Sequence, residues 1–163
     1  MLRSMRRRAF LLSVVSASLR SEPTVNRILI VKSARTLTLQ SGDHALKKYK
    51  IALGTQPIGP KEREGDHKTP EGEYLIDSKS KQSRFHWALH VSYPNALDRA
   101  HAKRLGVDPG GAVMIHGLEN KYAFLGALHR FVDWTDGCVA VTNLEIEEIF
   151  NLVPVGTRVT IKP

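Results

Sequence analysis

The sequence predicts a mainly β domain, and three observations carry that expectation. Short apolar runs rich in β-branched residues recur along the chain, several with period two. Turn formers such as Ser41-Gly42-Asp43 and Pro109-Gly110-Gly111 punctuate them. No strand–helix alternation and no glycine-rich phosphate loop points to a nucleotide fold. About eight strands and two or three short helices, in a closed or packed-sheet domain, follow from these patterns.

The elements read in order. Residues 27–32 (RILIVK) form a β-branched strand, 36–40 (TLTLQ) alternate, and 46–53 continue the meander after a turn. Residues 54–72 are rich in glycine, proline and charge and predict a long surface loop, a length that is more often functional than idle. Strand character resumes at 73–76 and 85–92. Residues 95–105 predict a helix, with Asn95 as N-cap and Gly106 as its stop. A short buried strand over 112–115 ends at His116. Residues 117–137 predict a lid with a helical turn near 125–131. A strand over 138–141 follows. Thr142 and Glu145 then form a capping box for a helix whose apolar face is Ile146, Ile149 and Phe150, and 157–161 is the last strand.

At 163 residues the chain has room for one sizeable core. Its 42% hydrophobic and 25% charged content is ordinary for a globular protein. The net charge of +8 is concentrated at the N-terminus, where Arg3, Arg6, Arg7 and Arg8 precede an apolar block over 9–19. That order predicts an export signal over 1–20, with Val15-Ser16-Ala17 as cleavage site and Arg7-Arg8-Ala9-Phe10-Leu11 resembling a twin-arginine signal. Removal after Ala17 leaves 20 Lys and Arg against 16 acidic residues. No later segment interleaves basic and aromatic residues, so nucleic-acid binding is not expected. No apolar run is long enough to span a bilayer. The expected location is the periplasm or cell envelope, with residues 24–163 as one domain and a monomer as the expected state.

Cys138 is the single cysteine, so an exported chain cannot pair it internally. His116-Gly117 ends one predicted strand, and Thr135-Asp136-Gly137-Cys138 leads into another. A free thiol titrates near about 8.5 and needs a base to become a nucleophile at neutral pH. A neighbouring imidazole supplies one and can return the proton to a leaving amine. Spacing alone also fits a buried structural cysteine and a satisfied histidine. The remaining histidines, 44, 67, 86, 90, 101 and 129, are scattered. His116, His129 and Cys138 match no short-spaced zinc pattern, so no metal site is expected.

His116-Gly117, then Thr135-x-Gly137-Cys138-Val139, resembles the signature of the L,D-transpeptidase catalytic-domain family. Thr69-Pro70-Glu71-Gly72 and Ser92-Tyr93-Pro94-Asn95 resemble two of its upstream elements, so the likeness covers residues 26–162. The resemblance implies a β-sandwich-like fold with a lid over the site. It implies Cys138 as nucleophile, His116 as base and the Gly117 carbonyl as the group that orients the imidazole. Gly137 and Cys138 would supply oxyanion amides, and Thr135 occupies the family's Ser/Thr position. Tyr93, Trp134 and Asp136 are candidates to line the substrate groove. The implied partners are peptidoglycan stem peptides, with a wall-linked protein as a further acceptor, and no cofactor. Asp136 replaces the family's usual histidine, and Ala140 stands where Asn or Arg is common. These departures leave three expectations open: transfer to an amine, hydrolysis by a murein peptidase or amidase, or a non-catalytic wall-binding module.

Overall fold

The computed structural model describes residues 23–163. The export-signal expectation for 1–20 lies outside the described residues. Eight strands form one hydrogen-bonded series, β3-β2-β1-β8-β4-β5-β6-β7. They are β1 (Arg27–Val31), β2 (Thr36–Ser41), β3 (His44–Lys50), β4 (Gly72–Ser83), β5 (His86–Val91), β6 (Met114–His116), β7 (Val139–Ala140) and β8 (Arg158–Lys162). Three short helical elements accompany them: α1 (Ala96–Leu105), α2 (Asn143–Leu152) and a stretch of 3₁₀ turns over the lid, Asn120–Phe131. Among the described residues no helix is long and apolar enough to cross a membrane.

Period two explains the core. Ile28 and Ile30 of β1, Leu37 and Leu39 of β2, and Val159 and Ile161 of β8 are buried in a single apolar cluster with Ile146 and Ile149 of α2. β1 lies between β2 (antiparallel) and β8 (parallel), so it is covered along both edges. β3 carries Lys47, Lys48 and Lys50, charges that discourage edge-to-edge pairing.

Two strands differ from expectation. β3 ends at Lys50 rather than 53, because residues 51–54 leave the ladder with β2 and cross to the other end of the series. There Ala52 exchanges both backbone hydrogen bonds with Ala140 at 2.9 Å. This crossing ties the β3 end to the β7 end, where Cys138 sits. β4 runs 12 residues instead of four. Its second half, DSKSKQS, has no apolar side chains, yet the ammonium groups of Lys79 and Lys81 lie over aromatic rings. Lys79 Nζ lies 4.3 Å from the Phe150 ring centroid and Lys81 Nζ 4.2 Å from that of Trp87.

Both helices start and stop where the local chemistry dictates. Asn95 and Asp98 form a reciprocal capping box on α1, and Gly106 closes it in the left-handed conformation at φ 69°. Thr142 and Glu145 do the same for the start of α2. That second box has a function beyond the helix, because Arg130 of the lid donates to both Glu145 carboxylate oxygens at 2.8 and 2.9 Å.

Candidate active site

β6 and β7 run parallel, with Ile115 opposite Val139 and His116 opposite Ala140. Residues two apart on a strand share a face, so Cys138, just before β7, falls on the same face as His116. The half-buried thiol donates to the Ala112 carbonyl at 3.6 Å. Ala112 holds a positive φ of 54°, uncommon for a side-chain-bearing residue, and this turn aims its carbonyl at the sulfur.

His116 is 2% exposed. Its Nδ1 lies 2.6 Å from the Gly117 carbonyl oxygen. A carbonyl only accepts, so Nδ1 carries the proton and Nε2 keeps its lone pair. Gly117 is itself fixed. Its N–H donates to the Phe85 carbonyl at 3.2 Å, and the next residue, Leu118, donates to Asn143 Oδ1 at 2.6 Å. A Cβ on Gly117 would stand 2.5 Å from that Asn143 oxygen, so a larger residue would displace the Asn143 amide that holds Leu118. Phe85 stacks on the imidazole at 4.5 Å, and Trp134 meets it edge-on at 5.8 Å.

The loop before the cysteine is held by its own residues. Thr135 is buried, and its hydroxyl donates to the Cys138 carbonyl at 2.7 Å while accepting from the Gly137 N–H at 3.2 Å. Gly137 has φ 125°, and a Cβ there would meet the Lys68 carbonyl at 2.5 Å. Residues 54–72 therefore press against the cysteine loop. Gly54 is where three backbones meet: a Cβ on it would lie 2.1 Å from the His67 carbonyl oxygen and 3.1 Å from Gly137 Cα.

The other sequence candidates fall in distinct places. Trp134 lines a cleft of about 540 Å³ beside His116, between Phe85, Leu118, Leu125 and His129. Asp136 stands at its mouth with a 91% exposed side chain, and His67 Nδ1 lies 2.9 Å from its Oδ1. The acid thus faces solvent rather than the thiol. Ala140 is fully buried where residue 52 crosses, a position that suits a small side chain. Tyr93 is 3% exposed in the core, packs edge-on against Tyr74 and donates to the Pro109 carbonyl at 2.9 Å. It does not line the cleft beside His116.

Several residues that position the site carry no local sequence signal. Lys32 is 2% exposed, and its ammonium donates to Gly59 O, Thr69 O and Glu71 Oε1 at 2.6–2.9 Å, clamping both ends of the 54–72 loop. Asp133 binds Arg35 through three contacts of 2.7–3.1 Å and also accepts from Leu53 N–H at 2.9 Å. Lys61 pairs with Asp66 at 2.8 Å inside the loop.

Burial pushes the Cys138 thiol above its ordinary value; the Met114 N–H and Lys61 oppose this, and Asp136 adds to it. Burial likewise depresses His116 to about 4, with the Gly117 carbonyl opposing. His129 is depressed to about 4 by burial and by neighbouring Arg130 and His116, against Glu145. The Cys138 and His116 shifts both favour the uncharged forms, a neutral thiol and a neutral imidazole. Burial alone would raise the Asp66 carboxyl, but Lys61 and the N–H groups of Glu62, Lys68 and Arg63 pull it down to about 2.

These shifts set an acid-stability profile. An unfolded histidine titrates near about 6.5. Between there and about 4 the unfolded chain binds protons at His116 and His129 that the folded chain refuses. Stability is full above pH ~6.5 and falls as pH drops, by up to about 1.4 kcal/mol per unit for each ring, until the folded value is passed. Asp66 adds its own loss only lower, between its ordinary value and about 2. Urea denaturation at pH 7.5, 6, 5 and 4.5 is expected to show a midpoint that declines across this series. His116→Gln should flatten the decline, and a midpoint independent of pH would contradict the assignment.

The sequence profile described as YkuD, the L,D-transpeptidase catalytic domain, matches residues 25–161. The chain belongs to this family. The putative L,D-transpeptidase YafK of Escherichia coli (strain K12) is 37% identical over 133 residues, covering 77% of this chain and 46% of YafK. The putative L,D-transpeptidase YkuD of Bacillus subtilis (strain 168) is 28% identical over 137 residues, 82% of this chain and 64% of its own length. Among solved structures, the helical cell shape determining protein Pgp2 of Campylobacter jejuni aligns with a TM-score of 0.66 at 26% identity, over 85% of this chain and 48% of Pgp2. L,D-transpeptidase 1 of Mycobacterium tuberculosis, 17% identical, shares the fold at a TM-score of 0.52 over 84% of this chain and 60% of that one. The chain thus spans about half the length of YafK and of Pgp2.

Proposed function

We propose that the protein is an exported L,D-transpeptidase that acts on peptidoglycan stem peptides through a Cys138 thioester. The observation that carries this reading is the His116 tautomer. Its Nδ1–H is committed to Gly117, which leaves Nε2 as a base on the face that Cys138 shares. In this reading Sγ attacks the carbonyl carbon of the L-centre of the diamino acid while Nε2 takes the thiol proton. A buried imidazole that titrates near about 4 is a strong acid once protonated, so it readily returns the proton to the departing amine of D-alanine as the C–N bond breaks. An acceptor amine then attacks the thioester, passes its proton to His116 and releases the thiol.

The developing oxyanion needs a donor that is free. Gly137 N–H is already taken by Thr135. Among the described residues no acceptor takes the Cys138 N–H, so that amide serves the role and Gly137 provides the backbone shape behind it. Membership of the family and the likeness to Pgp2, a helical cell shape determining protein, support a wall substrate. The cell envelope is the matching location.

Purified disaccharide-tetrapeptide muropeptides, with and without a second amine-bearing muropeptide, test the reading by mass spectrometry. Transfer predicts D-alanine release together with a cross-linked dimer. Trimmed tripeptide monomers alone, even at excess acceptor, would replace transfer by hydrolysis at the same thioester. Intact tetrapeptide would remove the enzyme reading altogether.

A further inference from the structure

The wall of the cleft beside His116 holds a buried polar group that nothing within the described residues satisfies. His129, at the end of the lid, is 6% exposed, and its Nε2 has no hydrogen-bond partner. The other ring nitrogen, Nδ1, lies 3.1 Å from Trp134 Nε1. An indole N–H can only donate, so Nδ1 must accept and the proton of the neutral ring sits on Nε2. His116 and His129 are therefore wired in opposite senses. His116 keeps a lone pair at Nε2, and His129 carries an N–H at Nε2 that is buried behind the cleft wall. Trp134 separates them, edge-on to His129 at 6.1 Å and to His116 at 5.8 Å.

The donor is held still. Arg130, the next residue, is bound to the Lys50 carbonyl at 2.9 Å and to Glu145. Asp133 anchors the lid's exit on Arg35 and on Leu53 N–H. A buried donor without a partner costs about 1–3 kcal/mol, and native proteins retain few of them. The cleft wall around it is largely apolar, with Phe85, Leu118, Leu125 and Val132. Such a wall with one placed polar group orients a ligand. The cleft's cations are already engaged, since Arg84 and Lys121 both pair with Glu119, at 2.6 and 3.0 Å. A neutral donor in an apolar wall matches a neutral acceptor.

We propose that His129 Nε2–H donates a hydrogen bond to a backbone carbonyl oxygen of the bound stem peptide, making His129 a substrate-binding residue held in its tautomer by Trp134. This rests on the stem-peptide reading above and adds a specific contact to it. The Trp134–His129 pair then fixes where the peptide lies relative to Cys138, and because Nε2 is covered in the free protein, the bond forms as the lid residues over it part to admit the carbonyl.

The test uses the full chain with His rings labelled with ¹⁵N and Cys138 replaced by alanine, titrated with stem tetrapeptide. Binding is expected to move the His129 Nε2–H resonance downfield and to slow its exchange with water. In the cysteine-containing protein, His129→Leu is expected to lower kcat/KM for the tetrapeptide by ~10- to ~100-fold, the scale of one lost hydrogen bond to a buried group. His129→Gln keeps an acceptor for Trp134 and a donor for the peptide, so it should stay within a few-fold of wild type. The rate of Cys138 alkylation by iodoacetamide should be unchanged in both variants, which separates lost binding from a disturbed site. Saturable peptide binding with an unmoved His129 resonance would overturn the inference while leaving the stem-peptide reading standing, as would wild-type kcat/KM in His129→Leu. A tetrapeptide that neither binds nor turns over overturns both.

Discussion

Replacing Cys138 by alanine is expected to lower tetrapeptide turnover by more than about 10⁴-fold, because the proposed mechanism carries the acyl group on that sulfur. The loss should occur in a folded protein. Sγ makes one weak bond, to the Ala112 carbonyl at 3.6 Å, and the residue is only half buried. Its removal should change stability by no more than about 1 kcal/mol. Circular dichroism and the urea midpoint should match wild type while D-alanine release disappears. Serine at this position should fare no better. A hydroxyl is a far weaker acid than a thiol, and an imidazole depressed to about 4 is a weak base for it. Because the chain has a single cysteine, any covalent adduct with a thioester-forming inhibitor can be assigned by mass alone. Turnover that survives in Cys138→Ala would end the thioester mechanism and favour a wall-binding module.

The parts of this molecule that were legible in sequence are those whose physics is local. The Asn95 cap, the Thr142–Glu145 box and the Gly106 stop need only near neighbours in the chain, and the helices sit where those residues put them; the reciprocal bond from Asp98 is added by the fold. The second half of β4 was hidden because its aromatic partners, Trp87 and Phe150, belong to other elements and are met by lysine ammonium groups rather than by apolar side chains. At the site, the Cys–His pair could be suggested from a lone thiol and two strand ends. Tyr93 sits in a recurring motif, yet the core claims it, since a buried phenol needs only one acceptor and Pro109 supplies it. The contact of Asp136 with His67 spans 69 residues, and the ion pair of Arg35 with Asp133 spans 98, so neither leaves a pattern in a short window. His129 was one of six scattered histidines; only the fold shows that its ring is buried and half satisfied.

Lys32 to alanine is expected to be the most damaging substitution outside the reacting groups. The ammonium is buried and fully used, with donors on Gly59 O, Thr69 O and Glu71 Oε1. Removing it leaves a buried carbonyl, a partly buried one and a largely buried carboxylate without their donor, a loss of about 3–5 kcal/mol. For a domain of this size that lowers the melting temperature by on the order of 10 °C. The consequence reaches the site through the backbone. Lys32 fastens the 54–72 loop, and that loop abuts Gly137 through the Lys68 carbonyl and Gly54 through the His67 carbonyl. A loosened loop should let the cysteine turn wander, so catalysis should fall even at temperatures where the variant is folded. Lys32→Met with Glu71→Gln separates the two contributions. It removes the orphaned charge and retains most of the side-chain volume, so it should recover part of the lost stability. It cannot restore the clamp on Gly59 and Thr69, so turnover should stay low. Full recovery of both in the double variant would show that the lysine matters only as a counter-charge, and that the loop holds the cysteine turn without it.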